Sequence, residues 1–168
     1  KRRSAKVQAA AVLAAGQYYS GEYQKALQNA LAVRDLAERI NYRWWLSFLD
    51  VLLGEVYLTQ GDFDKSWAHS QLAIEREEPF AFGGIYSLGL SVRGDIYRLL
   101  GETQRALQFF KKGMEIKPES SMTLNCAYMY GLVMGRIDPK QGMMVLDNTI
   151  ASAEKMNLGW ITLPAKMA

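Results

Sequence analysis

Three short phrases, each opened by glycine, are the strongest constraint on this chain. They read GEYQKA from Gly21, GDFDKS from Gly61 and GETQRA from Gly101, so the interval is forty residues both times. A longer match surrounds the last two: LGEVYLTQGDF from Leu53 is echoed by RGDIYRLLGET from Arg93, with Gly54, Tyr57 and Gly61 returning as Gly94, Tyr97 and Gly101. A fixed period of this size marks a chain built of stacked supersecondary units, because one unit alone cannot bury its apolar face.

The unit is a helical hairpin. Ahead of the glycine, Leu46, Leu49, Leu53, Val56 and Tyr57 fall at helical steps, and beyond it Phe63, Trp67, Leu72 and Ile74 start a second pattern. Sustained alternation and Asn-Gly hairpin signals are missing, which argues against strands. Gly21, Gly61 and Gly101 are expected just past the first helix, in the left-handed conformation that a side chain resists. Gly54 and Gly94 stand inside a helix, where glycine costs about 1 kcal/mol against alanine. They are expected to admit a second helix carrying Ala26, Ser66 or Ala106 at the contact, with Tyr57 and Tyr97 filling the space beside it.

At these residues the chain resembles a tetratricopeptide repeat array. The third unit carries the pattern in Gly94, Tyr97, Gly101, Ala106, Phe110 and a closing Pro118. The second keeps Leu53, Gly54, Tyr57, Gly61, Phe63 and Ala73 but has Ser66 at the usual alanine. The first keeps Ala14, Gly21, Tyr23 and Ala26, with Gln17 at the usual tyrosine and Tyr18 one place on. The usual period is about 34 residues. The longer one here is similar to the arrays of large bacterial signalling ATPases of the maltose-regulator type, and of regulators and cyclases built like them. The surplus is expected to lengthen the first helix of each pair. The resemblance implies an all-α, right-handed α-solenoid of four hairpins and a partial fifth, as one domain over residues 1–168.

The fourth hairpin is degenerate: MTLNCAYMYGLVMG forms its first helix and PKQGMMVLDNTIASAEKM its second, opened by Asp138 and Pro139. AEKMNLGWI from Ala153 echoes AERINYRWW from Ala37, so a fifth, mostly helical unit is expected from Asn157 to Ala168, leaving an apolar flank through which copies could self-associate. A start at Lys1 and this broken repeat read as a fragment of a longer multidomain protein.

Composition narrows the function. A net charge of +3, with only Lys1 to Arg3 clustered, gives no nucleic-acid surface. No apolar run reaches the ~18 residues of a membrane span. One cysteine, Cys126, excludes an internal disulfide framework and suits a reducing, cytoplasmic setting. Gly83 and Gly84 lack the Lys-Ser/Thr of a phosphate-binding loop and read as a helix entry or an inter-repeat turn. His69 and Cys126 are each alone, which excludes a zinc site and leaves no nucleophile pair; no cofactor is expected. His69 reads as a partly exposed helix residue, and Glu75 to Glu78 as a solvated helix end.

The expected function is a non-catalytic interaction scaffold of a cytoplasmic signalling or transcription-regulatory protein. The alternative is a sensory domain that holds a small ligand or peptide and controls an attached output domain. The partner is a protein, a peptide or another domain of the parent chain. Tyr18, Trp44, Phe48, Glu55, Asp95, Arg98 and Tyr128 are expected to line a concave groove, aromatic and acidic, suited to a peptide with a basic residue. Glu55 and Asp95 occupy equivalent positions and read as a solvated or Arg-paired strip rather than an acid–base pair. The inner positions of chaperone-binding relatives hold Asn and Lys or Arg; here they hold Val51, Glu55, Ser91 and Asp95, so that ligand is not expected.

Overall fold

The computed structural model describes residues 2–80, 83–116 and 120–158. Among them are eight α-helices in chain order: α1 Arg2–Tyr19, α2 Tyr23–Arg39, α3 Arg43–Thr59, α4 Phe63–Glu77, α5 Gly84–Leu99, α6 Thr103–Glu115, α7 Ser121–Met134 and α8 Pro139–Lys155, with a 3-10 turn at Glu78–Phe80. Successive helices pack as hairpins, and no strand occurs among the described residues. The chain divides into two compact units, Lys1–Pro79 with α1 to α4 and Phe80–Ala168 with α5 to α8.

The three repeated glycines end α1, α3 and α5 with φ of 79°, 76° and 78°. At each, the residue after glycine donates its N–H five residues back: Glu22 to Gln17, Asp62 to Tyr57 and Glu102 to Tyr97, at 2.8–3.0 Å. Glycine itself donates to the carbonyl three residues back, completing the Schellman pair that satisfies orphan carbonyls. A Cβ at any of the three would meet nothing within 4 Å. Backbone conformation, not space, therefore demands glycine. Gly101→Ala is expected to destabilise by about 1–2 kcal/mol, read as a lower urea midpoint with unchanged slope; an equal midpoint would show that the left-handed turn carries no cost.

The same turn recurs after α2 and α8 with asparagine in place of glycine. Asn41 and Asn157 have φ of 50° and 56°, and the N–H groups of Tyr42 and Leu158 reach back to Ala37 and Ala153. The AER and AEK echo thus encodes one turn twice. Asn157 consequently stands in a left-handed turn rather than in a helix, which corrects the helical expectation at that residue. Pro118, and the partial fifth hairpin with its apolar flank from residue 159 onwards, lie outside the described residues.

In the first three pairs the first helix exceeds its partner only slightly, α1, α3 and α5 having 18, 17 and 16 residues against 17, 15 and 13 for α2, α4 and α6, and in the fourth α7, with 14 residues, is shorter than α8, with 17. The surplus over the usual period is shared by both helices of a pair. In the first unit the core is rich in alanine: Ala11, Ala14, Ala26, Ala30 and Ala37 are fully buried with Val7, Leu49, Leu53 and Val56. Alanine at these steps lets α1, α2 and α3 approach closely. Buried positions run almost all round α3, which packs on α1, α2 and α4.

Gly94 of α5 lies against α6, where a Cβ would fall 2.4 Å from the Phe110 ring. The Phe110 ring, one turn beyond Ala106, thus fills the space over Gly94, and Ala26, Ser66 and Ala106 are all fully buried. Gly54 is buried in α3. Tyr57 stacks on His69 at 5.5 Å and Tyr97 on Phe109 at 5.4 Å, with Lys65 and Arg105 over the respective tyrosine rings. The repeat therefore reproduces a packing motif as well as a backbone one.

Candidate functional site

In the first unit, Trp44 and Phe48 lie one turn apart on α3, so their rings meet face to face at 5.8 Å with 3° between planes. Trp45 stands edge-on to both, at 4.8 and 5.5 Å. Phe48 and Trp45 lean on the core cluster, whereas Trp44 remains 43 % exposed. A large ring held by its neighbours and open on one side is what an interface anchor needs, since little freedom remains to be lost on binding. Tyr18 packs partly on the same core and touches Tyr19 and Tyr23. Glu55 is half-buried, and Val51, placed at an inner groove position from sequence, is buried instead.

In the second unit, Arg98 Nε donates to Asp95 Oδ1 at 2.7 Å. Burial pushes the Asp95 carboxyl above its ordinary value against the pull of that guanidinium. Burial likewise raises the half-buried Tyr128 phenol. Ser91, expected to line the groove, is buried and accepts a hydrogen bond from Asn125 Nδ2 at 3.0 Å. The seven groove residues thus fall as Tyr18, Trp44, Phe48 and Glu55 in one unit and Asp95, Arg98 and Tyr128 in the other; the structure pairs Trp44 with Phe48 and Asp95 with Arg98.

The chief polar feature escaped the sequence reading. Asp50 is 0 % exposed in α3. From α2, Arg34 donates Nε to Oδ1 at 2.7 Å and Nη2 to Oδ2 at 3.3 Å. From α4, Arg76 Nη1 donates to Oδ2 at 2.9 Å, and His69 Nδ1 donates to Oδ1 at 2.9 Å. One carboxylate therefore ties three helices together. A second layer adjoins it: Ser47 Oγ donates to Glu77 Oε1 at 2.7 Å, Arg43 pairs with Glu77, and Arg43 also donates to the Arg76 carbonyl. Glu77 is only 6 % exposed, which corrects the reading of Glu75 to Glu78 as a solvated helix end. His69 is only partly exposed, but its ring is committed to Asp50 and Tyr57. An acidic residue inside the apolar run WWLSFLDVLLGEV was the signal available; its partners lie 16, 19 and 26 residues away.

Burial alone would raise the Asp50 carboxyl, but hydrogen bonds from His69, Arg34 and Arg76 outweigh it and hold the group below its ordinary value. A folded value below the unfolded one, about 3.9, makes this contribution complete above that pH; it is lost as pH falls through the folded value. The urea midpoint of Asp50→Asn is therefore expected to lie well below that of the parent at pH 7, with the gap closing below about pH 4. An equally wide gap at pH 3 would refute the linkage.

These groups make a strut between helices, because Arg34, His69 and Arg76 all donate to the one Asp50 carboxylate. Cys126 is buried beside Ser87, and desolvation pushes its thiol up to about 12, so no thiolate nucleophile forms near neutrality. Among the described residues, no group of three His, Cys, Asp or Glu could hold a metal ion, and no helix is long and apolar enough to cross a membrane.

Residues 90–120, from α5 through α6, match the tetratricopeptide repeat family model. No curated protein matches the chain. Repeats of this kind generally bind proteins or peptides and are generally non-catalytic modules. The matched repeat lies among eight described helices that pack as successive hairpins, and the two findings together support a tetratricopeptide-type repeat protein.

Proposed function

We propose that this chain is the non-catalytic interaction scaffold of a cytoplasmic signalling or transcription-regulatory protein, and that Trp44 anchors its partner. The observation that carries the reading is the Trp44–Phe48 stack on α3: a rigid, half-open aromatic surface braced by a buried core. The single buried thiol of Cys126 is in keeping with a reducing compartment. Similarity to the long arrays of bacterial signalling ATPases supports a regulatory parent. A protein or peptide, or another domain of that parent, is the expected partner.

Truncating a central aromatic anchor typically costs ~2 kcal/mol or more of binding, which is roughly a thirtyfold loss. Trp44→Ala is expected to weaken capture of partner, or of the remaining domains of the parent protein, by about that factor. Circular dichroism would confirm that helicity persists. Tyr128→Ala, on the second unit, reports whether that unit also contributes an anchor. Unchanged binding in both variants with the fold intact would remove these surfaces from the interaction.

A further inference from the structure

The turn of the fourth hairpin is unlike the others. Gly135 has φ −59°, so α7 ends without a left-handed residue, and Ile137 and Asp138 both donate to the Met134 carbonyl at 2.8 and 2.7 Å. Glycines bring the two helices together here: a Cβ at Gly142 would lie 2.4 Å from Gly135 Cα. Only backbone against backbone fits at this crossing.

Beside the crossing is a cavity of about 600 Å³ within the second unit, a size in the range of ligand sites. Met129, Val133, Met143 and Leu146 supply apolar walls, and Arg98 and Arg136 stand among them. Apolar surface continues outside it: Ile137 is 52 % exposed and Met143 64 %. Methionine adapts its shape to differing side chains, which suits a peptide site more than a rigid small-molecule pocket.

Charge sets the sign of the occupant. Asp95 already engages Arg98, and Asp138 Oδ1 accepts from the Gln141 N–H. Arg136 is exposed and makes no ion pair with the described residues. A guanidinium beside an apolar cavity wall binds a carboxylate in a fixed, forked geometry.

We propose that this cavity binds an acidic peptide, seating one apolar side chain between Met129, Met143 and Leu146 and laying an Asp or Glu carboxylate on Arg136. The site belongs to the second unit alone and goes beyond the Trp44 surface, which serves a separate contact.

Random dodecapeptides displayed on phage would be selected on the whole 168-residue chain. Selected sequences would be made with a fluorescein label and titrated by anisotropy. The expected consensus places Asp or Glu next to Leu, Phe or Met. Arg136→Glu is expected to weaken these peptides about tenfold or more, Arg136→Lys less, and Trp44→Ala not at all. Replacing the peptide acids with Gln is expected to match the Arg136→Glu loss. Arg136 is exposed, so both variants are expected to keep the parent circular dichroism. A selection without acidic enrichment would overturn the site, as would Gln peptides that bind equally well. Loss on Trp44→Ala with none on Arg136→Glu would overturn it too, while leaving the first-unit anchor standing.

Discussion

Asp50→Leu is expected to destabilise the protein by about 3–5 kcal/mol, the usual cost of removing one member of a buried ion cluster. The loss comes less from the missing attraction than from Arg34 and Arg76, left without the buried carboxylate they share, Arg34 keeping only the exposed Glu38. Forty residues on, the repeat shows what an apolar version looks like. Arg34, Asp50, His69 and Arg76 correspond to Ile74, Leu90, Phe109 and Ile116. Leu90 is buried and Phe109 stacks on Tyr97, just as His69 stacks on Tyr57. Exchanging all four together, Arg34→Ile, Asp50→Leu, His69→Phe and Arg76→Ile, is expected to recover most of the loss, because well-packed apolar groups replace buried ion clusters at little or no cost. Urea unfolding of the single and quadruple variants decides this. A quadruple variant as unstable as the single one would show that the cluster stabilises the unit beyond merely satisfying its own charges.

Gly94→Leu is expected to cost about 1–3 kcal/mol through overpacking, and more if the helices cannot part. Even the first added atom would sit 2.4 Å from the Phe110 ring, and Phe110 is itself fully buried, with no open space to turn into. The rest of a leucine side chain must therefore separate α5 from α6. Coupling to Phe110 provides the control: in Phe110→Ala, which carries its own cavity cost, Gly94→Leu is expected to be far less damaging. Gly54→Leu, at the buried equivalent in α3, is expected to act alike. A Gly94→Leu variant that melts like the parent would mean that α5 and α6 are not held at this distance in solution.

Both expectations touch the boundary between local and tertiary information. The hairpin rhythm was legible because its markers are local. Gly21, Gly61 and Gly101 each occupy a left-handed turn that few residues tolerate, so the backbone requirement is written at one position in the sequence. Asn41 and Asn157 mark their turns in the same way, and Asp138 with Pro139 announces α8 by capping it and opening its first turn. The stripe of Leu49, Leu53 and Val56 was legible for a similar reason, since helical period alone decides which residues share a face.

What a side chain meets across the core is not local. His69, Arg34, Arg76 and Glu77 are residue types that belong on a helix surface, and each taken singly reads as solvated. Only the packing of α2, α3 and α4 brings their polar ends onto or beside one buried carboxylate. That the Phe110 ring covers Gly94 was not legible for the same reason: sequence spacing locates a contact along each helix, but the axial offset between two helices settles which side chain lies nearest. Sequence alone determined the repeated hairpins and their turns, because these rest on backbone conformation and helical period. Tertiary structure alone decided the Asp50 cluster and the α7–α8 cavity, because both depend on distances between helices that no single stretch of chain encodes.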